Sequence, residues 1–425
     1  MASPPPSPRS SLPLDPEVGL GMSIVHRRGY GLESHWAQTH DGYLLGLFRI
    51  TPRPHRGDGM PLEQRPPVLL QHALLDSSFA WVSNYEARQS LAMLLSDQGY
   101  DVWLGNNRGN VYSRNHTSLD PDRDSAFWDF TYADMGMYDL PAEIRYVLEY
   151  RLGGPAVAGN VSAPRLELPR RCIGYIGHSE GTMQAFAGFT MPHNREEADA
   201  VALFVALAPV AFLSHMTSPI IKGLAGSHAD DFAKWVGIRE LLPGTSLNGL
   251  SPEACRQMPE MCAGVLDLVT GESDELNMTR LQVQLARTPA GTSIKNLAHF
   301  LQGIRAGHFR QYDYGSHAEN LRRYGSIHPP HFELHRLRVP TALFSGSNDA
   351  LASPADVRRL ERQLRPTGAI VEWREIDNFA HLDFTWSTRA ADVVYKPLCR
   401  LLQTRHLPLA GPGPAPRSGV AWLRV

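Results

Sequence analysis

Three residue types that together perform nucleophilic acyl transfer occur in this chain in a usable order: Ser179, Asp349 and His381. A serine hydroxyl is a poor nucleophile at neutral pH. It attacks an acyl carbon when a histidine takes its proton, and a carboxylate holds that histidine in the right tautomer. Ser179 lies within Gly177-His178-Ser179-Glu180-Gly181, after a short apolar run (172–176) and before a helix-compatible one (183–187). Gly-x-Ser-x-Gly between a strand and a helix is a nucleophile elbow, a sharp turn whose flanking positions must be small. Gly177 and Gly181 supply the room. The helix start favours negative charge developing beside the serine. Read alone, the five residues fit any strand-to-helix turn of an α/β protein.

The partners sharpen the reading. Residues 340–346 read as a buried strand closing in a glycine turn, which leaves Asp349 just past its C-terminal edge. A helix-like stretch (358–364), a strand (370–376) and a loop carrying His381 follow. Taken singly, Asp349 is a turn-capping aspartate and His381 a loop histidine packed on Trp386. The order Ser, Asp, His, with acid and base each following a strand, is that of an α/β-hydrolase. The oxyanion then needs two preplaced N–H donors. The backbone of Glu180 supplies one. The other belongs to the loop after the early strand 67–72, at Leu74.

Several blocks carry a family resemblance over residues 30–386. They are Gln71-His72-Ala73-Leu74, Asn106-Asn107-Arg108-Gly109-Asn110, Phe127-Trp128-Asp129-Phe130 and Tyr138-Asp139-Leu140-Pro141. Ala206-Leu207-Ala208-Pro209, Pro289-Ala290-Gly291-Thr292 and His381-Leu382-Asp383-Phe384 complete the set. In these blocks the chain resembles the acid lipases, the family of gastric and lysosomal acid lipase. The resemblance implies a triad of Ser179, Asp349 and His381, with oxyanion donors at Leu74 and Glu180. It also implies a secreted or lysosomal setting, and a glycan most readily at Asn277. Two positions depart from the family pattern. Ala73 stands where glycine is usual, which puts the Leu74 loop in doubt, and Glu180 stands where glutamine is usual. An ionised Glu180 is expected to oppose the oxyanion and to stabilise protonated His381. It escapes that conflict if it points into the first helical turn or pairs with a cation such as Arg108.

Composition narrows the class. The chain has 425 residues, 43% hydrophobic and 20% charged, with a net charge of −2, which suits a globular protein and gives no electrostatic case for nucleic acid. The longest apolar run, 200–213, is too short to cross a bilayer, and no transmembrane segment is expected. Residues 1–16 are Ser/Pro-rich without the apolar core of a signal peptide, which leaves an intracellular location open. Of four cysteines, Cys172 reads as a buried free thiol and Cys399 lies in a C-terminal helix. Cys255 and Cys262 are close enough to bridge or to stay reduced. Sequons stand at Asn115, Asn160 and Asn277. His331 and His335 have helical i, i+4 spacing, but Pro329 and Pro330 disfavour a helix through His328, so no metal and no cofactor is expected. His72, at a strand end, reads as a structural hydrogen-bonding residue.

The pattern along the chain gives an α/β fold: a mostly parallel sheet with helices on both faces and an inserted, mainly helical cap. The expected divisions are a tail (1–18), a first core part (19–212), the cap (213–337), a second core part (338–406) and a Pro/Gly-rich tail (407–425). A hairpin is expected over 33–49, and helices over 89–98, 140–151, 232–242 and 293–306. Phe232, Trp235, Met258, Met261, Phe300 and Leu301 are the cap's candidates for an acyl tunnel at a lipid–water interface, or simply its own core. The expected activity is a serine ester hydrolase acting on neutral lipids, acylglycerols or sterol esters. The competing readings are a thioesterase or peptidase on the same fold, or a catalytically silent binding protein.

Overall fold

Asp41-Gly42 turns the chain back on itself, and the flanking segments pair antiparallel as β1 (Gly31–Gln38) and β2 (Leu44–Thr51), with Glu33 opposite Arg49. Gly42 permits the turn because its φ is +101°. The structure is a computed structural model that describes residues 15–53, 60–153, 167–227, 237–241 and 252–405. Eight further strands follow: β3 (Pro67–Gln71), β4 (Asp101–Leu104), β5 (Ile173–His178), β6 (Val201–Leu207), β7 (Glu240–Leu241), β8 (Thr292–Ser293), β9 (Thr341–Gly346) and β10 (Ile370–Ile376).

One eight-stranded sheet has the order β1-β2-β4-β3-β5-β6-β9-β10, and every pair from β4 to β10 is parallel. All residues of β3, β4, β5, β6 and β9 are buried, as continuous apolar runs covered by helices on both faces require. Edge strand β10 instead exposes Arg374 and Glu375, charges that blunt an open sheet edge. From β3 the chain passes outward to β4 and then returns to the far side of β3 as β5. The crevice at that reversal is where such sheets place their chemistry.

The helix expected over 140–151 forms as Leu140–Arg151, and that over 89–98 as Leu91–Asp97 closed by Gly99 (φ +89°). Strand–helix alternation stops after β6. Six helices, Pro219–Ser227, Pro252–Gln257, Pro259–Thr270, Leu281–Leu285, Ile294–Ala306 and His317–Tyr324, then precede β9 among the described residues. The 232–242 helix reading fails at its end, where Glu240 and Leu241 are extended and pair with Ser293 and Thr292; residues 232–236, with Phe232 and Trp235, lie outside the described residues. Met258 and Met261 lie on the surface, whereas Phe300 and Leu301 are buried.

Cys255 and Cys262 are joined in a disulfide (Cα–Cα 5.5 Å) that packs with Leu266, Leu281 and Trp386. Cys172 is half-exposed rather than buried, because β5 begins only at Ile173. Asp15 and Glu17 pair with the buried Arg280 guanidinium at 3.0 and 2.5 Å. Among the described residues, no helix is long and apolar enough to cross a membrane.

Candidate active site

β5 delivers Ser179 to the crevice in a backbone conformation (φ +53°, ψ −112°) that L residues rarely adopt. The neighbouring glycines make it possible. A Cβ on Gly177 would sit 2.6 Å from the Gly181 carbonyl oxygen, and one on Gly181 would sit 2.5 Å from that of Gln71. The Ser179 N–H donates to Leu207 O at 3.0 Å, so β6 holds the turn in place.

Ser179, Asp349 and His381 converge there. The Ser179 hydroxyl lies 2.7 Å from His381 Nε2, and His381 Nδ1 lies 2.9 and 3.0 Å from the two Asp349 carboxylate oxygens. All three residues are buried. Asp349 Oδ1 also accepts the N–H groups of Leu351 and Ala352 at 2.9 and 2.7 Å, which hold it oriented. The arrangement offers a hydroxyl, a base on its proton and a carboxylate behind the base.

Two supports had no signal in the sequence. The N–H groups of Ala350 and His381 both donate to the Thr270 carbonyl at 3.2 Å, so the last residue of Pro259–Thr270 anchors both the acid loop and the base loop. His178 donates from Nε2 to the His381 carbonyl at 2.9 Å, and burial pushes its pKa down to about 3, so it stays neutral. The position between glycine and serine in the elbow marks residue 178 as a neighbour of the site, but its side-chain role depends on a partner 203 positions away. Asp383, of the His-Leu-Asp-Phe block, accepts Ala380 N–H and Ser273 Oγ–H at 2.7 Å each and staples the His381 loop to the segment after Thr270.

Around the oxyanion positions, Leu74 follows the end of β3, which packs directly on Gly181. His72 Nδ1–H donates to Ala73 O at 2.7 Å, while Nε2 accepts Asn107 N–H at 3.0 Å, a hydrogen-bonding role as expected from its position. Burial pushes its pKa down to about 4. Ala73 does not occupy the left-handed region; that conformation falls on Leu75 (φ +60°), so alanine at 73 imposes no backbone strain.

Arg108 is not the partner of Glu180. Its guanidinium is occupied by Asp139 (2.7 Å) and Asp41 (2.7 Å). The buried Glu180 carboxyl instead accepts the side-chain amides of Asn296 (2.6 Å) and Asn107 (3.4 Å). Burial raises its pKa to about 7 against the lowering effect of those two donors. His331 and His335 are exposed and do not share a helix, and among the described residues no group of His, Cys, Asp and Glu side chains is arranged to hold a metal ion. Asn115 is exposed and Asn277 half-buried; Asn160 lies outside the described residues.

A family model described as a partial alpha/beta-hydrolase lipase region matches residues 22–85. Gastric triacylglycerol lipase of Bos taurus is 36% identical over 394 residues, covering 91% of this chain and 92% of that protein. Lysosomal acid lipase/cholesteryl ester hydrolase of Homo sapiens is 35% identical over 397 residues, with 92% of each chain covered. Lipase member K of Mus musculus is 33% identical over 405 residues, again with 92% of each covered. At that identity over nearly the whole length, the chain belongs to the acid lipase family of α/β-hydrolases.

Proposed function

We propose that the protein hydrolyses carboxylic esters of neutral lipids, acylglycerols or sterol esters, through Ser179, His381 and Asp349. The observation that carries this reading is the 2.7 Å approach of the Ser179 hydroxyl to His381 Nε2, with Asp349 behind Nδ1. His381 takes the serine proton as Oγ bonds to the acyl carbon, then delivers it to the leaving alcohol as the carbon–oxygen ester bond breaks. A water molecule, deprotonated by the same imidazole, releases the acid from the acyl-enzyme. Asp349 stabilises the transient imidazolium. The backbone N–H groups of Leu74 and Glu180 receive the oxyanion; Glu180 N–H, at the first position of its helix, has no intrahelical acceptor to satisfy. The lipid class is supported by the names of the relatives. In this reading residues 213–337 form a cap that desolvates the ester and meets the lipid–water interface.

A fluorophosphonate probe tests the assignment. It should label wild-type protein at Ser179 and fail to label Ser179→Ala, which should lose ester hydrolysis by about 10⁴-fold or more. Hydrolysis surviving in Ser179→Ala would overturn it.

A further inference from the structure

The mechanism above uses the Glu180 backbone and leaves its carboxyl without a task. Yet that carboxyl is buried beside the reacting serine, and each of its partners is itself fixed. Asn296, on Ile294–Ala306, donates to Glu180 Oε1 at 2.6 Å and to Thr292 Oγ1 at 3.1 Å. Its Oδ1 accepts Tyr132 N–H at 2.7 Å, and its own N–H donates to Ser293 Oγ at 2.9 Å. Asn107, after β4, donates to Oε2 at 3.4 Å while its Oδ1 accepts Gln71 Nε2 at 2.6 Å. One carboxyl therefore joins the first residue of the nucleophile helix to the cap on one side and to the end of β3, through Gln71, on the other. Those are the elements that bracket both oxyanion positions.

We propose that Glu180 is a positioning residue whose carboxyl, through Asn296 and Asn107, holds the cap helix against the elbow and fixes the oxyanion N–H, and that its neutral form is the one that supports turnover. The proposal rests on the Ser179 reading. Ionisation would place a full negative charge one residue from the developing oxyanion, in a desolvated site where like charges oppose each other strongly. Few groups facing Glu180 counter that charge. Arg108 is spent on Asp41 and Asp139, and Lys295 on Asp129. Asp139 faces it and is acidic, and Tyr132, which also faces it, is a buried phenol whose pKa burial raises further. With the carboxyl's pKa raised to about 7, the charge is off in acid and turns on near neutrality. The sign follows: turnover falls as pH rises through that point.

The experiment measures kcat and KM on a short, water-soluble p-nitrophenyl ester from pH 4 to 9. Wild type, Glu180→Gln, Glu180→Ala, Asn296→Ala and the Glu180→Ala/Asn296→Ala double variant are compared, with fluorophosphonate labelling run in parallel. Wild-type kcat should show a one-proton alkaline limb near pH 7, and Glu180→Gln, which keeps shape and an acceptor but cannot ionise, should remove it. Glu180→Ala and Asn296→Ala should each lower kcat about tenfold at unchanged KM, and the double variant should be no worse than either. A limb that persists in Glu180→Gln, or single effects that multiply, would overturn the proposal. If the alanine variants do not fold, the wild-type and Glu180→Gln profiles still decide it. Loss of labelling at Ser179 in wild type would instead sink the triad reading, whereas normal labelling with an unchanged limb sinks this proposal alone.

Discussion

At the scale of residues, the site rests on close approaches that admit no extra atom. Gly181 is the sharpest case, since a methyl there would collide with the Gln71 carbonyl, a backbone atom that cannot swing aside. Gly181→Ala should lose activity by at least 10²-fold and destabilise the protein by about 1–3 kcal/mol, read as kcat/KM and as a denaturation midpoint. Normal activity in that variant would mean that the elbow is looser than its geometry. These residues were legible in the sequence because the chemistry dictates their types, order and spacing. The fate of the Glu180 side chain was not legible. Asn296 is 116 positions away, and no local pattern links the two. An ionised Glu180 that stabilises protonated His381, as the sequence alone suggests, would act on the acidic limb of the pH profile, and Glu180→Gln would shift that limb. Burial moves the titration upward, so the alkaline limb becomes the place to look.

Among elements, the strands of the sheet are readable as apolar runs between turn residues, and their ends differ from expectation by no more than two residues. The segment proposed as a cap, residues 213–337, is readable only as the place where alternation stops. Its contribution to the site was hidden, because it runs through a backbone carbonyl, Thr270, which no side-chain pattern reports. From the sequence, a cap acts on substrate alone, so removing it would harm long-chain esters first. The Thr270 and Asn296 contacts change that expectation: deleting 214–321 should reduce activity on short soluble esters as well, by about tenfold or more. Full short-chain activity in a soluble deletion would show that these contacts are dispensable. Within the cap, reducing the Cys255–Cys262 bridge should cost about 2 kcal/mol on chain-entropy grounds, seen as a lower melting temperature under reductant.

Taken as a whole molecule, buried titrating groups set opposing trends with pH. Burial raises Asp76 to about 7, Glu180 to about 7 and Asp383 to about 6, and raises Glu143 well above the usual carboxylate range. Each binds its proton more tightly folded than unfolded, so its stabilisation is full below about pH 4 and fades as pH rises through 6–7. Burial lowers His72 to about 4, and His178 and His299 to about 3. These contribute stability above about pH 6.5 that is lost as pH falls toward 3–4. The two sets overlap between about pH 4 and 6.5 and largely cancel there. Melting temperature should therefore be nearly flat across that window and fall on both sides of it, as calorimetry from pH 3 to 8 would register. A steady slope through the window would show that one set dominates.

The shared Thr270 carbonyl has a mechanical meaning as well. The acid loop, the base loop and the helix Pro259–Thr270 meet at one oxygen atom, and Gly271 follows at once, with φ +106° and no room for a Cβ, which would collide with the Asn348 carbonyl oxygen. A cap that lifted away as a rigid plate would pull that atom from both loops and disarm the base at the moment substrate arrived. If residues 213–337 act as the proposed cap, an opening that leaves the imidazole aligned keeps this point fixed and parts at the far margin, so doorway and fulcrum would lie on opposite sides of the same insertion.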